Sequence, residues 1–280
     1  MNEIIPLVSF PKSGNTWMRF ILSNLFKKDE LFDINFKNIN DISSTSHSED
    51  HSKMISLLKP NAPLFIKEHY SYYDMPYKNF KKAIYIYRNG FDTLLSYWHF
   101  RNAQNPGMYP NIETFTKYYW NNYRQWGEHL FSWLEDEKTI KSHNIYAISY
   151  ENLMQNPTET IKKCMDFLGY EFSLEDIKIA IELSSKDKMK KMSGSGEFMK
   201  SKDKDFHFVR SAKNGESKNQ LSMFCKREFI KYDINYKMMM KYSYLEDDNE
   251  WKEISKIDSL SLMTIFKNKF YNYKYRLLEK

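Results

Sequence analysis

Only two cysteines, Cys164 and Cys225, occur among the 280 residues, and they lie far apart. Thiols in that number and spacing build neither a disulfide framework nor a thiolate metal site. Such usage suits a reducing compartment, and a cytoplasmic location is expected. Glycine and proline are scarce, eight of each, and no stretch rich in either marks a linker between domains. No run of about 18 apolar residues exists, so no transmembrane helix is expected. The first β-type run begins almost at once, beside Glu3, so no signal peptide is expected either. The net charge of +6 is too small and too dispersed to argue for nucleic acid. It suits a protein that handles small polyanions.

Aromatic residues, at 17%, are plentiful and suited to stacking planar ligands. Four short β-type runs stand out, Ile4–Val8, Leu64–Lys67, Ala83–Tyr87 and Ile145–Ile148. Helical spacing lies between them near Thr16–Phe26, Phe91–Arg101, Ile112–Leu134 and Thr158–Leu168. Alternation of strand and helix predicts an α/β fold with a central parallel sheet. Asn156-Pro157 reads as a helix start and Gly169 as a stop. Ser173 to Asp176 reads as a capping box. Residues 186–204 hold seven lysines without an apolar period and predict a mobile, solvated segment. Residues 259–280 predict a packed C-terminal helix, with a helix for peripheral membrane contact or partner binding as the sharper alternative.

The segment Pro11-Lys12-Ser13-Gly14-Asn15-Thr16-Trp17 follows the first strand and opens a helix. The amides at a helix start have no intrahelical acceptor, and the dipole adds partial positive charge. The unit is therefore an anion cradle. Lys12 adds a full charge, Ser13 and Thr16 add hydroxyls, and Trp17 offers a flat face. A Walker A loop would place its lysine after a second glycine, so the segment does not read as that motif.

A second anion site is expected at Arg88, at the end of the third run, with Ser96 eight residues further along the following helix. Arginine grips a phosphate through two parallel hydrogen bonds. Lys67 and His69, two apart at a strand end, project to the same side. Imidazole has the unperturbed pKa for general-base work near neutrality, which predicts an acid limb in the pH profile as the ring protonates. Glu68 is the alternative base.

These segments resemble those of the sulfotransferases that use 3′-phosphoadenosine 5′-phosphosulfate (PAPS). The family's usual loop is PKSGTTW, and its usual base segment is Phe-x-Lys-Thr/Ser-His, where this chain has Phe65 to His69 with Glu68 in the middle. Its 3′-phosphate motif has an Arg and a Ser at the spacing of Arg88 and Ser96, although Gly90-Phe91 replaces the usual Pro-basic pair. Phe208 to Asn219 resembles the family's late loop over the 3′-phosphate. Arg210, Gly215, Lys218 and Asn219 match it, Ser211 and Ala212 stand where Lys and Gly are usual, and Lys213 follows them as the compensating cation. Tyr150-Glu151-Asn152 resembles an element whose Tyr lies near the adenine.

The resemblance covers residues 5–220. It implies a three-layer α/β sandwich of the P-loop NTPase-like class, with 1–280 as one domain and 221–280 as its helical C-terminal part. It implies PAPS as donor, the bisphosphate PAP as product, and no metal, since fixed cations would hold the charge. The acceptor would be a hydroxyl or amine on a small molecule or saccharide. Lys12, Lys67 and His69 would carry the transfer, with the acceptor held by Asn102–Tyr119, Ser71–Lys78 and 186–207. A P-loop kinase and a non-catalytic polyanion-binding module are the competing readings.

Overall fold

The computed structural model describes residues 2–45, 47, 50–118, 125–192 and 215–245. Four β-type runs become strands, β1 (Ile4–Ser9), β2 (Leu64–Glu68), β3 (Lys82–Tyr87) and β4 (Asn144–Ser149). All pair in parallel, in the order β2-β1-β3-β4. Parallel strands are buried on both faces because their crossovers lay helices on each side. Side-chain alternation sorts the apolar residues accordingly. Ile84 and Ile86 join one core cluster with Ile5, Leu7 and Ile66, whereas Ala83 and Tyr85 join a second with Val8. The Asn15–Phe26, Pro157–Leu168 and Leu174–Leu183 helices cover the first face. The second is covered by Gly90–Gln104, Gln125–Leu134, Met223–Ile230 and Asp233–Lys241. The result is the three-layer sandwich expected from the sequence.

The strand order places the site. The chain leaves β1 for β2 on one side and later enters β3 on the other. β1 and β3 are therefore neighbours whose following segments diverge, and the crevice beyond their carboxyl ends is the switch point where ligands bind in such sheets. The Pro11–Trp17 loop follows β1, Arg88 follows β3, and His69 follows β2 at the next position.

Local signals hold at several ends. Gly169 adopts φ 86° at the helix stop, Pro157 occupies the first turn of its helix, and Ser173 and Asp176 form the reciprocal capping box. Two expectations are corrected. Lys186–Met192 is a helix, and Met189 is buried in the first core; a single buried methionine among lysines leaves no apolar period to read. The Ile112–Leu134 run gives two helices, Ile112–Tyr118 and Gln125–Leu134, with residues 119–124 outside the described ones. The 193–204 part of the lysine-rich segment, Arg210, Lys213 and the 259–280 helix also lie outside the described residues. No helix among the described residues is long and apolar enough to cross a membrane.

Candidate active site

The helix after β1 begins at Asn15, and Met18 N–H gives its bond to the Gly14 carbonyl at 3.2 Å. The amides of Asn15, Thr16 and Trp17 thus have no intrahelical acceptor. Gly14 has φ 105°, and a Cβ there would lie 2.5 Å from the Tyr150 ring. Only glycine lets the loop turn this way while Tyr150 lies against it. Lys12, with φ 71°, is one of three described non-glycine residues in the left-handed region. Such backbone costs about 1–2 kcal/mol and persists where its surroundings hold it. Here Arg88 Nη1 donates to the Lys12 carbonyl at 3.3 Å, so the two anion motifs are tied together through that strained residue.

A cavity of about 800 Å³ opens above this crevice. Lys12, Gly14, Asn15, Thr16, Trp17, Lys67, His69, Arg88, Ser96 and Tyr150 all line it. Ten sequence-predicted residues from four segments are therefore brought to one wall. Ser13 is not among them. Its side chain is buried, and its N–H bonds to the Phe10 carbonyl at 3.3 Å. Asn15 reaches the wall but spends its amide on the Leu7 carbonyl at 2.8 Å, which fixes the helix start to the end of β1. Gly215 lies off the wall, and its neighbour Glu216 is on it.

Arg88 is almost fully buried. Its guanidinium lies 4.5 Å from the centre of the Tyr150 ring and 3.9 Å from Asp92. A planar cation stacked on an aromatic face has its donors aimed in one plane. Trp17 meets Tyr150 edge-on at 6.1 Å. Tyr150 therefore acts as a floor under both Arg88 and the loop. The turn carrying Arg88 is braced from the Tyr150–Gln155 helix that follows β4, because Asn89 N–H donates to Glu151 at 3.0 Å. The second oxygen of Glu151 accepts from the Tyr244 hydroxyl at 2.8 Å. Gly90 replaces the family's usual proline for a packing reason, since a Cβ there would strike the Phe229 ring at 2.4 Å.

At the end of β2 the ring of His69 lies beside the neighbouring strand, with Nδ1 2.7 Å from the Ser9 carbonyl. A carbonyl only accepts, so Nδ1 carries the proton and Nε2 is left as the basic nitrogen. Burial, followed by the nearby Lys67 charge, pushes the imidazole pKa down to about 3. The expected acid limb near the ordinary imidazole value therefore does not arise from this ring, which is neutral across the physiological range. Glu68 points away from the cavity, is buried, and faces Tyr77. Burial pushes its carboxyl up to about 7. The alternation of β2 separates it from the wall that holds Lys67 and His69.

Burial, with the adjoining Arg19 charge, lowers the Lys67 ammonium to about 8. An anion in the cavity favours the charged ammonium, so PAP binding at pH 8.5 is expected to take up a proton, and binding at pH 6.5 to take up none. Titration calorimetry in buffers of different ionisation enthalpy reads this directly. Buffer-independent heats at pH 8.5 exclude the assigned environment of Lys67.

Arg19, a wall residue that sequence reasoning missed, is buried beside the Ser43 carbonyl, which accepts from it. Its guanidinium also donates to Asn40 at 2.8 Å and to Ser43 Oγ at 3.2 Å. An arginine inside the apolar run Met18–Leu22 was its only signal. Asp92 and Glu151 were also missed as braces, although the i, i+4 spacing of Arg88 and Asp92 marks a helix pair. Of the segments expected to hold the acceptor, 186–207 reaches this cavity through Lys186 and Met189, whereas Ser71–Lys78 and the described residues of Asn102–Tyr119 do not line it. Ser71–Lys78 is fixed elsewhere, through Tyr72 N–H on Ser132 at 3.0 Å and the Tyr73 hydroxyl on Asp136 at 3.0 Å. Leu95, Tyr97, His99 and Phe100 stand on the wall instead.

The chemistry of this wall fits a nucleotide with two anionic ends: a helix start with Lys12 at one, stacked Arg88 with Ser96 at the other, and a cradle at Gly14 that a Cβ would fill.

Comparison with known proteins shows the family. Sulfotransferase 2A6 of Rattus norvegicus is 27% identical over 232 residues, 79% of this chain and 80% of that one. Sulfotransferase 1A1 of the same species is 28% identical over 200 residues, 65% of each chain. A mouse sulfotransferase crystallised with PAP shares the fold with a TM-score of 0.60 at 20% identity, over 91% of this chain and 88% of that one. The sulfotransferase domain family model matches residues 3–240, a span that includes both anion motifs and the His69 segment, and the chain therefore belongs to the sulfotransferase family.

Proposed function

We propose that this sulfotransferase moves a sulfuryl group from PAPS to a hydroxyl or amine of a small-molecule or saccharide acceptor. The observation that carries the reading is the convergence of Lys12, Lys67, His69, Arg88 and Ser96 on one cavity wall. The donor supplies an activated sulfuryl group already bonded to a phosphate oxygen. The rest falls to the protein. Lys12 and the amides at the helix start hold the 5′ end and offset the charge left on the phosphate as the S–O bond breaks. Lys67 faces the sulfuryl oxygens. His69 Nε2 takes the proton of the acceptor as its oxygen or nitrogen bonds to sulfur. Arg88 and Ser96 hold the 3′-phosphate. Trp17 and Tyr150 border the base. Arg210, Lys213 and the Gly215 turn complete the 3′ end.

The acceptor side is set by His69, Leu95, Tyr97, His99 and Phe100 around the same cavity. An apolar and aromatic wall that also carries the imidazoles of His69 and His99 suits a flat or ring-shaped acceptor.

Arg88→Ala is the test. It removes a nearly buried cation from a charge-assisted pair, a loss of roughly 2–5 kcal/mol. The KM for PAPS is expected to rise far more than the KM for the acceptor, with a smaller effect of the same kind from Ser96→Ala. Thermal shift separates the competing classes. PAP is expected to stabilise the protein without Mg²⁺. Equal stabilisation by ATP only with Mg²⁺ points to a kinase. Equal stabilisation by any oligoanion points to a binding module.

A further inference from the structure

Asp92 lies one helical turn beyond Arg88, and its side chain is buried. A buried carboxylate is costly unless donors match its oxygens. Here they are matched from a remote part of the chain. Oδ2 accepts the N–H of Gly215 at 2.7 Å, and Oδ1 accepts the N–H of Ser217 at 2.9 Å. The same Oδ2 is 3.9 Å from Arg88 Nη2. Glu216, between the two amides, lines the cavity. One side chain thus presents an oxygen to each of two amides and keeps a guanidinium beside them. Because the donors are backbone groups, the acceptor at position 92 is the side chain that specifies the contact.

We infer that Asp92 is a positioning residue that docks the Gly215–Ser217 turn beside Arg88, so that the 3′-phosphate is received by two segments rather than one. This rests on the reading of Arg88 as the 3′-phosphate cation. A free turn would have to be ordered at the moment of binding, and that cost falls on the affinity. Asp92 orders it beforehand. The other role open to a carboxylate here is that of a plain counter-ion to Arg88. The two roles have opposite signs. A counter-ion near a bound phosphate repels it, so its neutralisation tightens PAP binding. A docking residue that loses one acceptor oxygen, and sets an amide NH₂ against a backbone N–H, loosens it.

The experiment measures the affinity of PAP and of adenosine 5′-monophosphate, which lacks the 3′-phosphate, for wild type, Asp92→Asn and Arg88→Ala. Asp92→Asn is expected to weaken PAP about tenfold and to leave the monophosphate within about twofold, as for a lost charge-assisted hydrogen bond. Arg88→Ala is expected to lose the same preference. Amide exchange on the wild-type protein gives a second reading that needs no variant: Gly215 and Ser217 are protected before ligand is added, and more so with PAP but not with the monophosphate. If Asp92→Asn binds PAP as tightly as wild type or more tightly, while Arg88→Ala loses the preference, Asp92 does not position this turn. If Arg88→Ala keeps the preference, the 3′-phosphate reading falls and the proposal with it. Unprotected Gly215 and Ser217 amides in the wild type overturn the docking directly.

Discussion

Replacing Lys12 with alanine is expected to reduce kcat by about a hundredfold or more, the range seen when a fixed electrostatic stabiliser of a developing charge is removed. The loss should fall on turnover rather than on folding. Lys12 is only half-buried, and its ammonium lies 4.5 Å from the centre of the Phe100 ring, at the cavity wall. Its backbone is the strained part, with φ 71° and the carbonyl held by Arg88. Alanine keeps the carbonyl, so the Arg88 contact survives and PAP affinity should fall less than the rate. The check is single-turnover transfer of a labelled sulfuryl group beside equilibrium binding of PAP. Near-normal turnover in Lys12→Ala rules out its place at the leaving phosphate.

The second large effect belongs to His69. His69→Ala is expected to lower kcat by about a hundredfold, the lower end of what a positioned general base contributes, because an imidazole held well below its ordinary pKa is a weaker base, and to leave the Kd of PAP nearly unchanged. The base touches the acceptor and not the nucleotide, so the loss should appear in kcat and kcat/KM together. The pH dependence follows from the depressed imidazole. With its pKa at about 3, the ring stays unprotonated through pH 5, and no acid limb near the ordinary imidazole value is expected from it. Glu68→Gln should preserve most activity, because that carboxyl faces Tyr77 behind the strand. A dead Glu68→Gln beside an active His69→Ala assigns the base to the carboxylate. The true acceptor must be used, since an amine arriving unprotonated depends less on a base.

The local chemistry of the site was legible because it is written in contiguous residues. A strand followed by Lys12, Gly14 and a helix start announces an anion loop before any tertiary contact is known. The period-two placement of Lys67 and His69 did the same for the reacting centre, and the helix signals at Pro157, Gly169 and Ser173 were read correctly for the same reason. Less could be read where burial changes the chemistry. An imidazole in the sequence carries its ordinary pKa, and only the packing of His69 against Ser9, next to Lys67, moves it away from neutrality. Composition likewise pointed to a solvated lysine segment at 186–192, where one methionine fills the core.

What the sequence alone determined is the alternation of strand and helix, the two anion-binding signatures and the pairing of a lysine with a histidine at one strand end. These depend on interactions within a few residues, and local hydrogen bonding and side-chain period suffice to specify them. The tertiary structure alone decided the braces and the acceptor wall. Asp92 meets Gly215 and Ser217, Glu151 meets Asn89, and Arg19 meets Ser43 only after the sheet is assembled in the order β2-β1-β3-β4. The same assembly turned Ser71–Lys78 away from the cavity and put Phe100 on it. Contacts between distant segments depend on which strands become neighbours, and that choice is made by the burial of both sheet faces at once.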